Sequence, residues 1–394
     1  MRILYLIPSL DGSGGAEQAV AALAGPLVER GIELEVVTFA PRVGPGARPS
    51  TDLAAEVRAA GAEVSTLPAA SGGTRGRLQL ARSVRGLVAE RRPDLVHTTL
   101  FDADLVGRVG GRAAGVPVVS SLVNVSYGPD QRANPAVAAW KLAVVQGADR
   151  LSARGVRRFH ALSAHVAEVM GPRLGIRAER IDVIPRGRDA TRLGAPDADR
   201  RARVRASLEV ADDQPLVLAA ARHEYQKGLD VLVRAWPAIR RAHPTAQLRI
   251  GGRAGSQTAQ LEALAGATGD PDGDGIAWLG PRHDVPDLLV AADVFVVPSR
   301  WEGFGSILIE AMALGTTVVA SDVGPIPDVV GGGWARLVPP DDPVALARSV
   351  GEALDQGPIE QQRRSALARR RFNDTYRLDV VADATVAFYR RALA

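Results

Sequence analysis

Residues 292–312 constrain the fold of this chain more than any other stretch. They read Ala-Asp-Val-Phe-Val-Val-Pro-Ser-Arg-Trp-Glu-Gly-Phe-Gly-Ser-Ile-Leu-Ile-Glu-Ala-Met. Asp293 to Val297 is a short apolar run stopped by Pro298, the pattern of a strand buried in a parallel sheet. Glycines turn the chain after it, and helical spacing opens at Ser306. A strand emptying into Gly-x-Gly at a helix start builds a cradle of backbone N–H groups. The first turn of a helix has no internal partners for those groups, and the helix dipole favours negative charge there. Glu302 on the turn and Glu310 one helical turn past Ser306 bracket the cradle. Carboxylates repel a phosphate but accept from hydroxyls, so a ligand carrying both phosphate and sugar hydroxyls is implied. Glu302 as a mere helix cap and Glu310 as a solvated helix residue would give the same spacing, which alone leaves both readings open.

The element Glu302-x7-Glu310, with Gly303-Phe304-Gly305 inside it and Ala311-Met312 after it, resembles that of the retaining glycosyltransferases of family 4. That resemblance covers nearly the whole chain. It implies the GT-B fold, in which two doubly wound Rossmann-like α/β domains face a central cleft and a C-terminal helix returns to the first domain.

A chain of 394 residues is too long for one ordinary domain and comfortable for two. An apolar content of 46% with 41 glycines and 26 prolines is globular α/β composition. The absence of cysteine excludes disulfides and thiolate metal sites. The apolar run of Met1 to Pro8 is too short for a signal peptide and reads as a first strand, and no stretch approaches the roughly 20 apolar residues of a membrane span. A cytoplasmic protein is expected. The net charge of +4 suits a phosphate-bearing ligand and is too small to argue for nucleic acid. Of the 48 basic residues only Lys141 and Lys227 are lysines, so each lysine is informative against a background that readily supplies arginine.

From the N-terminus, Arg2 to Ile7 is a strand, Asp11 to Gly15 a glycine turn, Ala16 to Arg30 a helix closed by Gly31, and Ile32 to Phe39 a second strand. This is not the dinucleotide G-x-G-x-x-G fingerprint. Pro41 to Ser50 is a Pro/Gly loop that the resemblance places beside the acceptor. Further strands are expected at Glu63–Leu67, Asp94–His97, Pro117–Ser121, Phe159–Leu162 and from Ile181, with Ser163 capping a helix. Pro185, Gly187 and Asp189 match the family's Pro-Asn-Gly-Val-Asp-like turn, whereas Arg186 and Arg188 depart from it. The expected division is a first domain over 1–189, a linker over 190–213, a nucleotide-sugar domain over 214–373 and a returning helix over 374–394. Strands of the second domain are expected at Leu216–Ala221, Gln247–Gly251, Ile276–Leu279, Asp293–Val297, Thr317–Ala320 and Ala335–Val338, with a Gly/Asp loop at 265–275.

Arg222 and Lys227 lie where a strand ends and a helix begins, within reach of a diphosphate, the first as a planar fork and the second as a point charge. The Arg-x4-Lys-Gly spacing also resembles the family. Together they can stabilise a departing nucleoside diphosphate, the role a divalent metal plays elsewhere. Asp102-Ala103-Asp104 superficially matches a metal-binding motif, yet acidic residues at a helix start simply complement the dipole, so no metal role is assigned. His97 ends a strand, and Thr99 stands where many family members carry a second histidine. His223 is expected to orient the Arg222 region, and His160, His165, His243 and His283 read as surface or packing residues. The run Arg75, Arg77, Arg82, Arg85, Arg91 and Arg92 reads as a solvated helix face; some relatives lay such a helix on anionic lipid, an association not favoured here.

By the resemblance, Gly14, Gly15, Arg222, Lys227, Ser306 and Ile307 hold the donor diphosphate. Glu302, Gly303, Phe304 and Gly305 hold the donor sugar, and Glu310, Gly251, Leu279 and Arg282 the ribose and nucleoside. Catalytic roles fall to Glu302, Arg222, Lys227 and Thr99. The expected activity is metal-independent, retaining transfer of a hexosyl group from a UDP- or GDP-linked sugar to an acceptor hydroxyl, with the nucleoside diphosphate sugar as co-substrate and no cofactor. A sugar-nucleotide epimerase of the same fold would need acid/base groups around the sugar and no acceptor. A non-catalytic binding partner is permitted by the histidine missing at Thr99, and opposed by the presence of Glu302, Glu310, Arg222 and Lys227.

Overall fold

A computed structural model describes residues 1–11, 15–39, 53–68, 70, 73–128, 139–267 and 275–394. Gly14, the Pro41–Ser50 loop and most of the Gly/Asp loop at 265–275 therefore lie outside the described residues. The chain divides into two compact units, one of Met1–Gly187 with Arg377–Ala394 and one of Arg188–Tyr376.

The first unit is one parallel sheet of β1 Arg2–Leu6, β2 Glu33–Phe39, β3 Glu63–Leu67, β4 Leu95–Thr99, β5 Val118–Leu122, β6 Arg158–Ala161 and β7 Ile181–Val183, in the order β3-β2-β1-β4-β5-β6-β7. Its helices are α1 Gly15–Glu29, α2 Leu53–Ala59, α3 Gly73–Arg91, α4 Phe101–Ala113, α5 Ala139–Ala153 and α6 Ala164–Leu174. The central strands β1, β4 and β5 are buried on both faces from Ile3 onward, as in a parallel sheet covered by helices on each side. Ser163 caps α6 as expected, its hydroxyl accepting from Val166 N at 3.1 Å.

The second unit begins with two short helices, α7 Ala190–Leu193 and α8 Ala198–Ser207. Residues 190–213, read from sequence as a linker, thus fall inside this unit. The sequence reading missed how arginine stems bury. Arg205 is almost fully buried, and its fork reaches the Ala291 carbonyl at 3.0 Å and Asp293 Oδ2 at 3.2 Å. Then follow β8 Leu216–Ala220, α9 Leu229–Ala242, β9 Gln247–Gly251, α10 Thr258–Gly266, β10 Ile276–Gly280, α11 Val285–Ala291, β11 Val294–Val297, α12 Ser306–Leu314, β12 Val318–Ser321, α13 Ile326–Val330, β13 Arg336–Val338, α14 Pro343–Leu354 and α15 Pro358–Arg371. The sheet is again parallel, in the order β10-β9-β8-β11-β12-β13.

A single π turn, Phe372–Tyr376, separates α15 from α16, Leu378–Leu393. The apolar face of α16 joins the core of the first unit: Val381, Val386, Phe388, Tyr389 and Ala392 pack with Ile3, Val20, Ala24 and Val36. Each large side chain of that set adds roughly 1.5–3 kcal/mol on burial.

In both sheets the strand order reverses once, between β1 and β4 and between β8 and β11. At such a switch point the connections leave in opposite directions, and a crevice opens at the carboxyl ends of the two strands. The loops after β8 and β11 are the ones that carry Arg222, Lys227 and Glu302.

Candidate active site

In the second unit, β8 and β11 are adjacent, so the loops that follow them are forced together. Two glycines allow the approach. Gly228 has φ 60°, and a Cβ there would run into the Pro298 carbonyl; Gly305 has φ 79° and opens α12. The seam is laced by polar contacts. Arg300 N donates to Gln226 O at 2.8 Å, and Gln226 Nε2 donates to Trp301 O at 2.9 Å. The Arg300 guanidinium stacks over Tyr225 at 3.8 Å and grips both oxygens of buried Asp230 at 2.9 and 2.8 Å. Arg234 also reaches Asp230 Oδ2 at 3.0 Å and Asp341 takes Arg300 Nε at 2.6 Å, so the pair belongs to a network of four charges.

This scaffold places Lys227 Nζ 2.7 Å from Glu302 Oε1, with the side chains 20% and 9% exposed. The Ser299 hydroxyl donates to the same Glu302 oxygen at 2.8 Å. An ammonium has three donors, so Lys227 retains two for a phosphate, while Oε2 of Glu302 remains to accept from a hydroxyl. The sequence-predicted pair is therefore one unit rather than two independent groups. Arg222 stands on the same loop, exposed, and makes no ion pair with a described residue.

The other predicted residues lie along the same sheet edge. Ser306 and Ile307 form the first turn of α12 behind Gly305, and the Gly303-Phe304-Gly305 backbone leads into it. The Phe304 side chain is buried against Tyr376, so only its backbone can face a ligand. Gly251 and Leu279 close β9 and β10, and a Cβ on Gly251 would sit 3.5 Å from Cγ of Arg282, which pairs with Asp284. Glu310 does not stand as an open carboxylate: Arg188 Nε donates to its Oε1 at 2.8 Å, both side chains being under one-fifth exposed. Arg188 and Ser299 are the contributions that sequence reasoning missed. The departure from the expected turn at Arg188 was the available signal.

His223 turns inward instead of orienting Arg222. It is buried, meets Trp278 edge to face with ring centroids 5.2 Å apart and meets Thr258 Oγ1 at 3.1 Å; burial lowers its pKa.

In the first unit, a small, largely apolar cavity is lined by Tyr5, His97, Thr99, Ser121, His160 and Arg186, among others. Gly15 begins α1 with the Arg186 guanidinium lying against it. Thr99 is buried, its hydroxyl 2.6 Å from that of Tyr5. His97, read as ending its strand, lies inside β4, which runs on to Thr99, and is also buried. It belongs to a chain of hydrogen bonds whose polarity is fixed at one end, because the Ile184 carbonyl can only accept. His160 Nε2 donates there at 2.7 Å, so its Nδ1 accepts from the Ser121 hydroxyl at 3.1 Å. Ser121 Oγ then accepts from His97 Nε2 at 2.8 Å, and His97 Nδ1 accepts from the Tyr389 hydroxyl at 2.8 Å. Burial drives the pKa of His97 well down and that of His160 to about 4, so both rings are neutral. His160, read as an ordinary packing residue, is thus an essential member of this chain.

The two carboxylates of the Asp-Ala-Asp motif serve different partners. Asp102 pairs with Arg77 at 2.9 Å, while Asp104 accepts from Thr98 at 2.5 Å and lies 3.4 Å from Arg108, its pKa raised to about 6 by burial.

Comparison with known proteins gives the family and the fold. Residues 200–371 match the family model of glycosyl transferases group 1, and residues 14–187 that of the glycosyl transferase 4-like domain. D-inositol 3-phosphate glycosyltransferase of Kineococcus radiotolerans is 31% identical over 98% of this chain and 92% of its own length. The Streptomyces griseus protein of the same name is 30% identical over 98% and 86%. Among solved structures, a glycosyltransferase from Rickettsia africae superposes with a TM-score of 0.83 at 19% identity, covering 100% of this chain and 98% of that one. Anabaena Alr3699/HepE, solved in complex with UDP, gives 0.82 at 23% identity, covering 99% of this chain and 100% of that one. The chain belongs to the group 1 glycosyl transferases, family 4, and is a glycosyltransferase of GT-B type.

Proposed function

We propose that the enzyme moves a sugar, with retention and without a metal, from a nucleoside diphosphate sugar to an acceptor hydroxyl. The observation that carries this reading is the Lys227–Glu302 pair at the β8/β11 switch point, beside the first turn of α12. Lys227, Arg222 and the α12 backbone take the diphosphate, Glu302 and the backbone of residues 303–305 take the sugar, and Glu310 takes the ribose. The C1–O bond to phosphate breaks as the acceptor oxygen bonds C1 from the same face, and the acceptor's proton passes to the departing phosphate oxygen. No protein nucleophile is needed. Charge growing on the diphosphate is met by preorganised cations, which matter most in the transition state. The Anabaena structures with UDP and with UDP-glucose support a uridine donor, and the names of the curated relatives support a polyol or sugar acceptor rather than a protein.

The test is a thermal-shift screen of UDP, GDP and their sugars, followed by proton NMR of the glycoside formed from the stabilising donor. Stabilisation by one nucleotide series and a product with the donor's anomeric configuration are expected. An inverted product would refute retention, and an epimerised free sugar formed without acceptor would favour the epimerase.

A further inference from the structure

Arg186 follows β7, and the backbone on either side of it is pinned. Ile184 N donates to the Ala161 carbonyl at 2.9 Å, and the Ile184 carbonyl takes His160 Nε2 at 2.7 Å. Gly187 packs so closely on α16 that a Cβ there would stand 2.9 Å from Cα of Leu378. A group carried on fixed backbone holds the geometry that a ligand contact needs. The Arg186 side chain lines the same cavity as Tyr5 and Thr99, and its guanidinium ends on Gly15, where a Cβ would stand 2.5 Å from Nη1. Glycine at position 15 is what admits it. The charge is felt across the cavity. It opposes the rise that burial gives the Tyr5 pKa, and it adds to the fall that burial gives that of His160.

Gly15 is the first residue of α1, a helix of 15 residues. A helix start draws an anion through its dipole and its N–H groups. A guanidinium laid against that start adds a full charge and a planar fork of donors at the same spot. Glu17, the acid of the first turn, is buried and accepts from the Ser9 hydroxyl at 2.7 Å. Thr99 and Arg186 both depart from the family's pattern, and both border this one cavity. One is expected at the reacting sugar, and the other lies on the glycine expected at the diphosphate. The group at which sugar and diphosphate meet is the β-phosphate of the donor. Lys227 gives part of its charge to Glu302, so a diphosphate whose charge grows as the C1–O bond breaks has use for a further cation.

We propose that Arg186 is a further donor-binding residue, whose guanidinium takes the β-phosphate of the nucleoside diphosphate sugar beside the backbone of Gly15. The inference rests on the donor reading given under the proposed function. Arg186 then separates nucleoside diphosphates from monophosphates and contributes most as the phosphate departs.

The experiment is calorimetric titration of the full chain with UDP and UMP, or with GDP and GMP where the guanosine series is the one that binds, beside steady-state transfer kinetics. Arg186→Gln should weaken diphosphate binding and lower kcat at least about tenfold each, the worth of one charge-assisted hydrogen bond. Its monophosphate affinity and melting temperature should match those of the parent. Arg186→Lys keeps the charge without the fork and should fall between the two. Diphosphate affinity and kcat equal to the parent's would overturn the proposal, as would equal losses for diphosphate and monophosphate. So would an effect confined to the acceptor's KM, or a lowered melting temperature with normal diphosphate affinity, which would assign Arg186 to the fold. If Arg186→Gln melts early and binds weakly, the ratio of diphosphate to monophosphate affinity in Arg186→Lys decides. A parent that binds neither nucleotide series refutes the donor reading itself, whereas a parent that binds diphosphate beside an unaffected Arg186→Gln refutes this inference alone.

Discussion

Lys227 is the residue on which the proposed chemistry turns, and its pairing with Glu302 changes how its loss should read. A cleft lysine without partners could be deleted with no effect on folding. Here deletion strands a carboxylate that is 9% exposed, with the Ser299 hydroxyl its one remaining partner among the described residues. Lys227→Ala should therefore lower turnover by at least about 100-fold, the cost of one preorganised charge contact, and also lower the melting temperature by a few degrees. The two effects separate in the double variant Lys227→Ala/Glu302→Gln. Neutralising the stranded carboxylate should restore melting and leave turnover low, a non-additivity expected of residues in contact. Steady-state kinetics beside calorimetry of the single and double variants reads both. Added magnesium should rescue neither, and a Lys227→Ala enzyme that transfers sugar at the parent rate would sink the cation-based account. The pair also shows where sequence reading stops. Both residues were visible as a lysine against an arginine background and as a carboxylate in a glycine turn. That they share one hydrogen bond depends on the packing of two loops 75 residues apart.

Among elements, α16 is the one whose attachment is most sensitive to conditions. Besides its apolar face, it is tied to the sheet by the Tyr389 hydroxyl, the terminal donor of the chain through His97, Ser121 and His160. Every hydrogen in that chain is committed, so a proton added to either imidazole leaves two donors facing each other. Burial lowers both folded-state pKa values, that of His160 to about 4, with the Arg186 charge acting in the same direction. The unfolded chain thus binds the proton more readily than the folded one, and stability present above pH 6.5 falls as the pH drops toward 4. For His160 alone the gap from 6.5 to about 4 corresponds to roughly 3 kcal/mol at 1.4 kcal/mol per pH decade. Urea titrations at pH 7.5 and 5 should show the loss, and His160→Gln should flatten the profile between those values while lowering stability at neutral pH. A parent whose stability is level from pH 7.5 to 5 would mean that the rings titrate normally. None of this chain was legible beforehand. The strands were, because Leu95–Thr99 and Val118–Leu122 are short segments that open on apolar residues and are rich in Val and Thr, a pattern set by local composition. Which hydroxyl meets which imidazole depends on register between β4, β5 and β6 and on a helix nearly 300 residues away.

For the molecule as a whole, the path of the chain makes the two units unequal in how they can fold. The second unit is one continuous segment, Arg188–Tyr376, and its core cluster around Trp236, Leu248 and Val294 is drawn from that segment. The first unit is discontinuous: Met1–Gly187 lacks α16, and with it Val381, Val386, Phe388 and Tyr389, which lie between 0% and 6% exposed in its core. At roughly 1.5–3 kcal/mol for each large apolar side chain left without its partners, the deficit is comparable with the 5–15 kcal/mol that keeps a whole domain folded. The residues proposed for the donor, apart from Gly14, Gly15, Thr99 and Arg186, all belong to the continuous segment. A fragment of residues 188–376 should therefore give a cooperative melt by circular dichroism and be stabilised by the nucleoside diphosphate that stabilises the full chain. It should form no glycoside. A fragment of residues 1–187 should be molten or aggregated, and a peptide of residues 377–394 added in excess should restore a cooperative transition by returning the missing face. A folded, cooperative 1–187 fragment would show that α16 is dispensable to that core. A well-folded 188–376 fragment that ignores every nucleoside diphosphate would show that Lys227, Glu302 and Glu310 do not suffice for donor binding.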